Sequence, residues 1–549
     1  MRIVVAPAGQ NAGTTQRLDD SDQPLGPPEN TADLAATIAA DEAAHRPRWI
    51  WPDTSRIYPA LQRKRIRVER AHDIALAESA LLGYAGRWGE PTSLPAIVAR
   101  SRGEEPPTEP AVTADNPDQP RLFEDTDDGL PEDLTAFDAT LAAYRRQKGP
   151  ADQKAAYEPT PVTRRHLDLM IAADSAGALA AAEMSRIGLP WRADVHDQIL
   201  TEALGPRPPQ HTRPAKLQAL ADEIAARLHT AKLNPDSAAE LIRAFQREGL
   251  TLESTRAWEL KRLEHPAVEP LLTYKSLARL HTANGWAWRD SWVQNGRFRP
   301  EYVAAAVVSG RWATRGGGAL QIPKAVRAAV VAEPGFRLVV ADAQQLEPRV
   351  LAAMSADRGM TEAAAHGDLY AALAEQSFKG DRAQAKVGLL SAMYGGSTPA
   401  MATLRRRYPD ALALLEKAAT TGESGGIVRS VLGRTCPAPR SGWDGGPERQ
   451  AMQRARDRGR FTRNFVIQAS AADWAAVLLA LLRSSLPDGA ELVFFQHDEV
   501  VVHCPAEQAE AAAESIRQAA EQATALVLGR TPVRLLLSTA VVTNYAEAK

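Results

Sequence analysis

Asp342 closes an apolar run, FRLVVAD, and Asp498 and Glu499 stand between two more, ELVFFQ and VVVHCP. Runs of this length and composition read as buried strands, the first ending in an acid and the other two forming a hairpin with two acids at its turn. If the hairpin neighbours the first strand, the carboxylates meet at one sheet edge. Two aspartates there can bridge two Mg²⁺ ions roughly 3.5–4 Å apart, which suits in-line displacement at phosphorus. A strand-terminal aspartate alone is more often a turn residue, so its meaning depends on its companions.

Those companions are cationic and aromatic. Arg382 and Lys386 lie one helical turn apart in DRAQAKVGLLSAMYGGS, with Leu390 a turn further along the same face, a stripe able to grip a triphosphate. Tyr394 precedes Gly395 and Gly396, which places a ring beside flexible backbone where it could stack on a base. Arg460, Asn464 and Gln468 recur at helical spacing in RFTRNFVIQASAAD and suit minor-groove and sugar contacts. Taken singly, each pattern reads more simply as a solvated helix face or a core ring.

The elements that must position these residues follow from periodicity. Between the first strand and the hairpin the sequence is mainly helical and basic, and VRLLLSTAVV at 533–542 reads as a further strand. From Leu167 to about Leu280, Ala and Leu stripes give a helical arm. RWIWPD at 48–53 and IRVERAHDIALAESALL at 66–82 read as a strand and a strand-to-helix unit of a small α/β domain. Two Pro-rich acidic stretches, 17–30 and 101–133, are expected to be loops or disordered.

At 549 residues the chain exceeds what one core supports. With 44% hydrophobic and 24% charged residues and a net charge of -2, any contact with nucleic acid has to come from locally concentrated Lys and Arg. Cys436 and Cys504 stand far apart, which supports neither a disulfide framework nor a zinc module. The apolar run of MRIVVAPAGQ is short for a signal peptide, and no segment reaches roughly 18 uncharged apolar residues. A cytoplasmic protein without a membrane partner is therefore expected.

LVVADAQQLEPRVLAAMS at 338–355 resembles the first polymerase motif of the bacterial DNA polymerase I family (family A), D-Y-S-Q-I-E-L-R-V-L-A. RAQAKVGLLSAMYGG at 382–396 resembles its R-x3-K-x7-Y-G motif, and QHDEVVVHCP at 496–505 its V-H-D-E motif. SGRW, LQIP, RRYP, VRSVLGR and RNFVIQASAAD add weaker matches, so the resemblance runs from about residue 165 to the C-terminus.

The resemblance implies an α+β right-hand polymerase with an N-terminal α/β exonuclease-like domain over 1–150. A helical thumb would occupy 165–300, the first part of the palm 301–370, the fingers 371–455 and the rest of the palm 456–549. It implies template-directed 5′ to 3′ DNA synthesis in repair or replication by a monomer acting on primer-template DNA and dNTPs, with two Mg²⁺ ions that Mn²⁺ can replace. Asp342 and Asp498 would hold the metals, with Glu499 as an accessory acid. Arg382 and Lys386 would hold the triphosphate, Lys386 also aiding the leaving pyrophosphate. Glu347 would be the steric gate against a ribose 2′-hydroxyl. Gln345 and Leu390 would border the nucleotide, and Tyr394 would stack at the templating position. Arg311, Gln321, Arg460, Asn464, Gln468 and His497 would line the primer-template.

Departures from the pattern are expected to affect nucleotide affinity and sugar choice. Ala343 replaces the Tyr after the motif Asp, Leu390 replaces an aromatic residue, and TRGGGALQIP lacks the family's Asn. No D-x-E occurs in the first hundred residues, and Leu134 stands where the exonuclease motif has Tyr, four residues before Asp138. The N-terminal domain is thus expected to lack proofreading, with Asp53 and Asp73 as remnants. The alternatives are a working exonuclease-polymerase with unorthodox exonuclease ligands and a catalytically weak DNA-binding protein of the same fold. Finally, QPRLF at 119–123 resembles Q-x-x-L-F sliding-clamp peptides, with Gln119, Leu122 and Phe123 as the contact residues.

Overall fold

The computed structural model describes residues 1–9, 11–108, 129–209, 211–318, 322–365, 367–396, 399–440, 442–443, 445 and 447–548. Gln321 and the candidate clamp residues Gln119, Leu122 and Phe123 lie outside them.

The chain begins with a hairpin, Arg2–Ala8 against Ala12–Leu18, in register from Arg2↔Leu18 to Ala8↔Ala12. Among the described residues the sheet has five strands in the order Glu29–Thr31, Ala12–Leu18, Arg2–Ala8, Arg48–Trp51, Arg70–Asp73, the last three parallel. Alternation along IVVA explains why it is buried on both faces: Ile3 and Val5 pack with Trp49, Trp51 and Ile57, whereas Val4 and Ala6 pack with Ile50, Ile97 and Phe137. The 17–30 stretch is therefore more ordered than its composition implies, since Leu18 bridges to Pro24 and Glu29–Thr31 forms the sheet edge.

Helix Arg164–Ile187 belongs to two cores at once. Its Leu179 enters the N-terminal cluster, while Leu167, Met170, Ala180 and Met184 enter the large central one. The helices from Ala193 to Trp292 instead enclose a core of their own around Leu200, Ile224, Phe245, Leu271 and Trp286. The helical stretch after residue 164 thus divides near residue 190 into a hub and a separate lobe.

The central sheet is antiparallel, in the order Glu491–Gln496, Glu499–Pro505, Phe336–Ala343, Leu537–Val542. The last strand is shorter than the apolar run VRLLLSTAVV, because Val533 and Leu535 are buried ahead of it without joining the ladder. Helix Glu448–Ser485 packs against this body. One stretch of that helix is long and apolar enough to cross a membrane, but 78% of it is buried inside the fold. The glycine loop has a packing reason: a Cβ on Gly316 would lie 2.0 Å from Trp292, and Gly317 accepts a 2.7 Å bond from the Trp288 indole.

Two buried arginines join the N-terminal domain to this body, and a third ties the hub helix to it. Arg483 donates to both carboxylate oxygens of Glu183 (2.9 and 2.6 Å) and to the backbone carbonyls of Glu69 and Val68. Arg429 pairs with Glu158, donates to the carbonyls of Tyr84 (2.9 Å) and Lys154 (2.7 Å), and lies 3.9 Å from the Tyr84 ring centroid. Arg434 bridges Asp174 and Asp473 at 2.9 and 3.0 Å.

Candidate active site

The strand ending in Asp342 and the hairpin carrying Asp498 are neighbours. Pairing runs from Phe336↔Pro505 to Asp342↔Glu499, and just past that last pair the Ala343 N–H donates to the Asp498 carbonyl at 2.9 Å. This bond pins the hairpin tip beside the end of the first strand and brings Asp342 and Asp498 to one edge. Both carboxylates are hard oxygen donors only partly covered by protein, a donor set that fits Mg²⁺.

Glu499 stands directly opposite Asp342, and cross-strand partners share a face. Its side chain is 3% exposed and accepts a hydrogen bond from the Tyr545 hydroxyl. Burial first, then the Glu499 charge, raise the Tyr545 pKa, and Asp342 adds to the effect. Tyr545 sits in the C-terminal NYAEAK, where no pattern marks it as a neighbour of these acids.

A cleft of about 320 Å³ opens beside Asp498, lined by Arg311, Gln345, Glu347, Tyr394, His497 and Ala472 among others. Glu347 is held on both carboxylate oxygens, by Arg311 on Oε1 and by the Tyr394 hydroxyl on Oε2 at 2.7 Å. Burial and the Glu347 hydrogen bond push the Tyr394 pKa upward, so this hydroxyl stays protonated and donating. Desolvation, then the neighbouring Arg311, hold His497 below the ordinary histidine value, which leaves its ring neutral near pH 7.

Arg382 and Lys386 lie on helix Arg382–Met393, capped by Asp381, which accepts from the Gln384 N–H at 2.9 Å. Ala385, Leu389, Ala392 and Met393 form its buried face, while Arg382 and Lys386 are exposed on the other side and Leu390 is partly buried against the core. Arg382 Nε donates to Asp368 at 2.7 Å. Sequence reasoning missed Asp368. Its place before LYAALAE marks a helix cap, but nothing local marks the ion pair. Tyr394 ends the helix, and Gly395 follows at φ +77 so close to Arg460 that a Cβ would lie 2.8 Å from its Cγ.

Arg460, Asn464 and Gln468 share one face of helix Glu448–Ser485, with Phe465, Val466 and Ile467 buried behind them. Arg460 is exposed and pairs with Asp457 one turn earlier.

The N-terminal aspartates are employed differently. Asp53 accepts from the Ser55 N–H and hydroxyl, both at 2.7 Å, and caps helix Thr54–Arg63. Asp73 is 1% exposed, accepts from the Leu76 and Thr54 N–H groups at 2.9 and 2.7 Å, and caps Ile74–Tyr84. Burial, then the charge of Asp53, push the Asp73 pKa up to about 7. Among the described residues, no three His, Cys, Asp or Glu gather at metal-binding distance.

A family model described as DNA polymerase family A matches residues 210–547, more than half of the chain. The chain belongs to that family. The family A match contains the acids, the cations and the cleft together. Among curated relatives, the thermostable DNA polymerase I of Thermus filiformis is 28% identical over 53% of this chain and 38% of its own length. DNA polymerase I of Pseudomonas aeruginosa is 27% identical over 46% of this chain and 30% of its own. This chain therefore spans well under half of either relative. The solved structure of the POL domain of Pol1 from M. smegmatis, in complex with DNA primer-template and dNTP, superposes with a TM-score of 0.69 at 18% identity. It covers 100% of this chain and 95% of its own, so the family A fold extends over the N-terminal sheet as well.

Proposed function

We propose that the protein is a template-directed DNA polymerase that extends a primer 5′ to 3′ with dNTPs. The observation that carries this is the convergence of Asp342 and Asp498 on one sheet edge beside the cleft that holds Glu347, Tyr394 and Arg311. Asp342 and Asp498 would hold two Mg²⁺ ions. Once bound, these supply activation of the primer hydroxyl and charge stabilisation at the phosphorus.

The remaining roles belong to the protein. Arg382 and Lys386 would receive the triphosphate from the exposed face of their helix, and Lys386 would donate a proton to the leaving pyrophosphate. Glu347, clamped by Arg311 and Tyr394, would fill the space a 2′-hydroxyl needs. Tyr394 would cover the templating position, and Arg460, Asn464, Gln468 and His497 would face the primer-template. In this reading the helical lobe after residue 190 is the thumb, 371–455 the fingers, and the central sheet with its long helix the palm. Asp53 and Asp73, committed to helix caps, would leave the N-terminal domain without exonuclease activity. The segment 119–123 would tether the polymerase to a sliding clamp, which calorimetry with the Leu122→Ala/Phe123→Ala double variant tests.

Primer extension on gapped, nicked and lesion-bearing templates with Mg²⁺ tests the central reading. Template-dependent incorporation is expected on at least the gapped substrate. Absence of extension on all three overturns it.

A further inference from the structure

Asp368 is satisfied on every side. One oxygen, Oδ1, accepts from the Gln345 amide at 2.7 Å and from the Tyr370 and Ala371 N–H groups at 3.0 and 3.2 Å, while Oδ2 accepts from Arg382 Nε at 2.7 Å. Gln345 returns the contact, since its amide oxygen accepts from the Leu369 N–H at 2.9 Å. The carboxylate is partly desolvated, but the Arg382, Gln345 and backbone hydrogen bonds hold its pKa below the ordinary aspartate value. It therefore carries its charge wherever the enzyme works.

Its surroundings are stiff. Arg349 is 0% exposed and donates to the carbonyls of Ala364 (2.7 Å), Gly367 (2.5 Å) and Arg534 (2.8 Å), which fixes the turn that presents Asp368. Gln345 adopts a left-handed conformation at φ 57, three residues after Asp342, and lines the cleft. Arg382 also lies over the Tyr370 ring, 5.7 Å from its centroid.

The geometry of the arginine decides what Asp368 does. Arginine–carboxylate pairs are frequently bidentate forks that occupy two of the guanidinium nitrogens, but this ion pair is monodentate. Asp368 engages Nε, and among the described residues no hydrogen bond from the two terminal nitrogens is seen. The guanidinium is thus oriented from behind, with its outer edge presented on the exposed side of the helix. Building on the polymerase reading above, we infer that Asp368 is a positioning residue that aims Arg382 at the triphosphate of the incoming nucleotide. Through Gln345 it also couples that contact to the loop that follows Asp342. An acid near a triphosphate would otherwise repel it, and here it acts through the cation it holds.

Asp368→Asn tests this because an Asn at that position still caps helix Leu369–Ser377 but no longer holds the guanidinium by charge. The expected result is an increase of about tenfold in KM for dNTPs, with kcat within about twofold of wild type and primer-template affinity unchanged. In an Arg382→Ala background the same substitution is expected to add little to KM, because the residue it positions is gone. A purely structural role would instead lower Tm and kcat, and would do so in both backgrounds. An unchanged KM, or an equal effect with and without Arg382, overturns the role of Asp368 while leaving the polymerase reading intact. A wild-type protein that extends no primer overturns both.

Discussion

Two sheets in this molecule end in a pair of aspartates, and they use them in opposite ways. Asp73 ends a parallel strand and Asp53 lies just past the neighbouring one, and a helix begins immediately after each, so both carboxylates accept from backbone N–H groups as helix caps. Asp342 and Asp498 stand at the end of an antiparallel ladder, one ahead of a turn through Gln345 into helix Leu346–Ser355 and the other in a hairpin turn. There the contact that aligns them is made by a carbonyl, Asp498 accepting from Ala343. A strand-terminal acid thus becomes a helix cap where the helix begins at the next residue, and stays only partly covered where a turn intervenes.

The largest effect expected from this contrast is catalytic. Asp342→Asn or Asp498→Asn should lower primer extension at least about a thousandfold with DNA affinity nearly unchanged, since charge stabilisation at the phosphorus is lost. Asp53→Asn and Asp73→Asn should leave extension unaffected, and wild type should extend a mismatched primer without trimming it. Release of the mismatched nucleotide that persists in Asp342→Asn but vanishes in Asp73→Asn would break the contrast.

Glu347 sharpens it, as an acid held by side chains rather than backbone. Glu347→Ala should raise ribonucleotide incorporation by about tenfold, measured as the ratio of kcat/KM for each sugar, and an unchanged ratio would remove the gate assignment. A smaller effect is expected at Leu390. Without a ring, binding forgoes part of a stacking contribution of about 1–3 kcal/mol, so Leu390→Phe should lower the KM for dNTPs a few-fold.

The last effect is one of stability. Asp73 has a folded pKa of about 7 against an ordinary 3.8, so the native state binds its proton more tightly than the unfolded chain. Its ionisation costs stability as pH rises from about 4 to 7, and the cost is fully present above that window. Asp73→Asn should flatten that part of the stability profile, measured by denaturant titration at several pH values.

Much of the site was legible because strand ends and helix faces are local. FRLVVAD, the HDE turn and the Arg382/Lys386 stripe each fall where the sequence predicts. What was not legible depends on partners distant in the chain. Asp368 reads as a cap until Arg382 is folded against it, and the contact between Tyr545 and Glu499 joins segments with no common pattern. The N-terminal hairpin was hidden for another reason. IVVAPA reads only as an apolar run too short for a signal peptide, and its polar partner strand AGTTQRL is recognised only once the two are paired.

Arg429, Arg434 and Arg483 have a consequence for how the chain comes apart. Arg429 and Arg483 are buried with acceptors drawn from both the N-terminal region and the central body, and Arg434 ties the hub helix to the long helix; a guanidinium stripped of its partners in a dry interior is far costlier than a lost surface contact. Loosening the two halves strands the Arg429 and Arg483 charges, so the N-terminal sheet and the central body are expected to melt together. Whatever chemistry the first domain performs or has given up, removing it would leave the rest with an open seam.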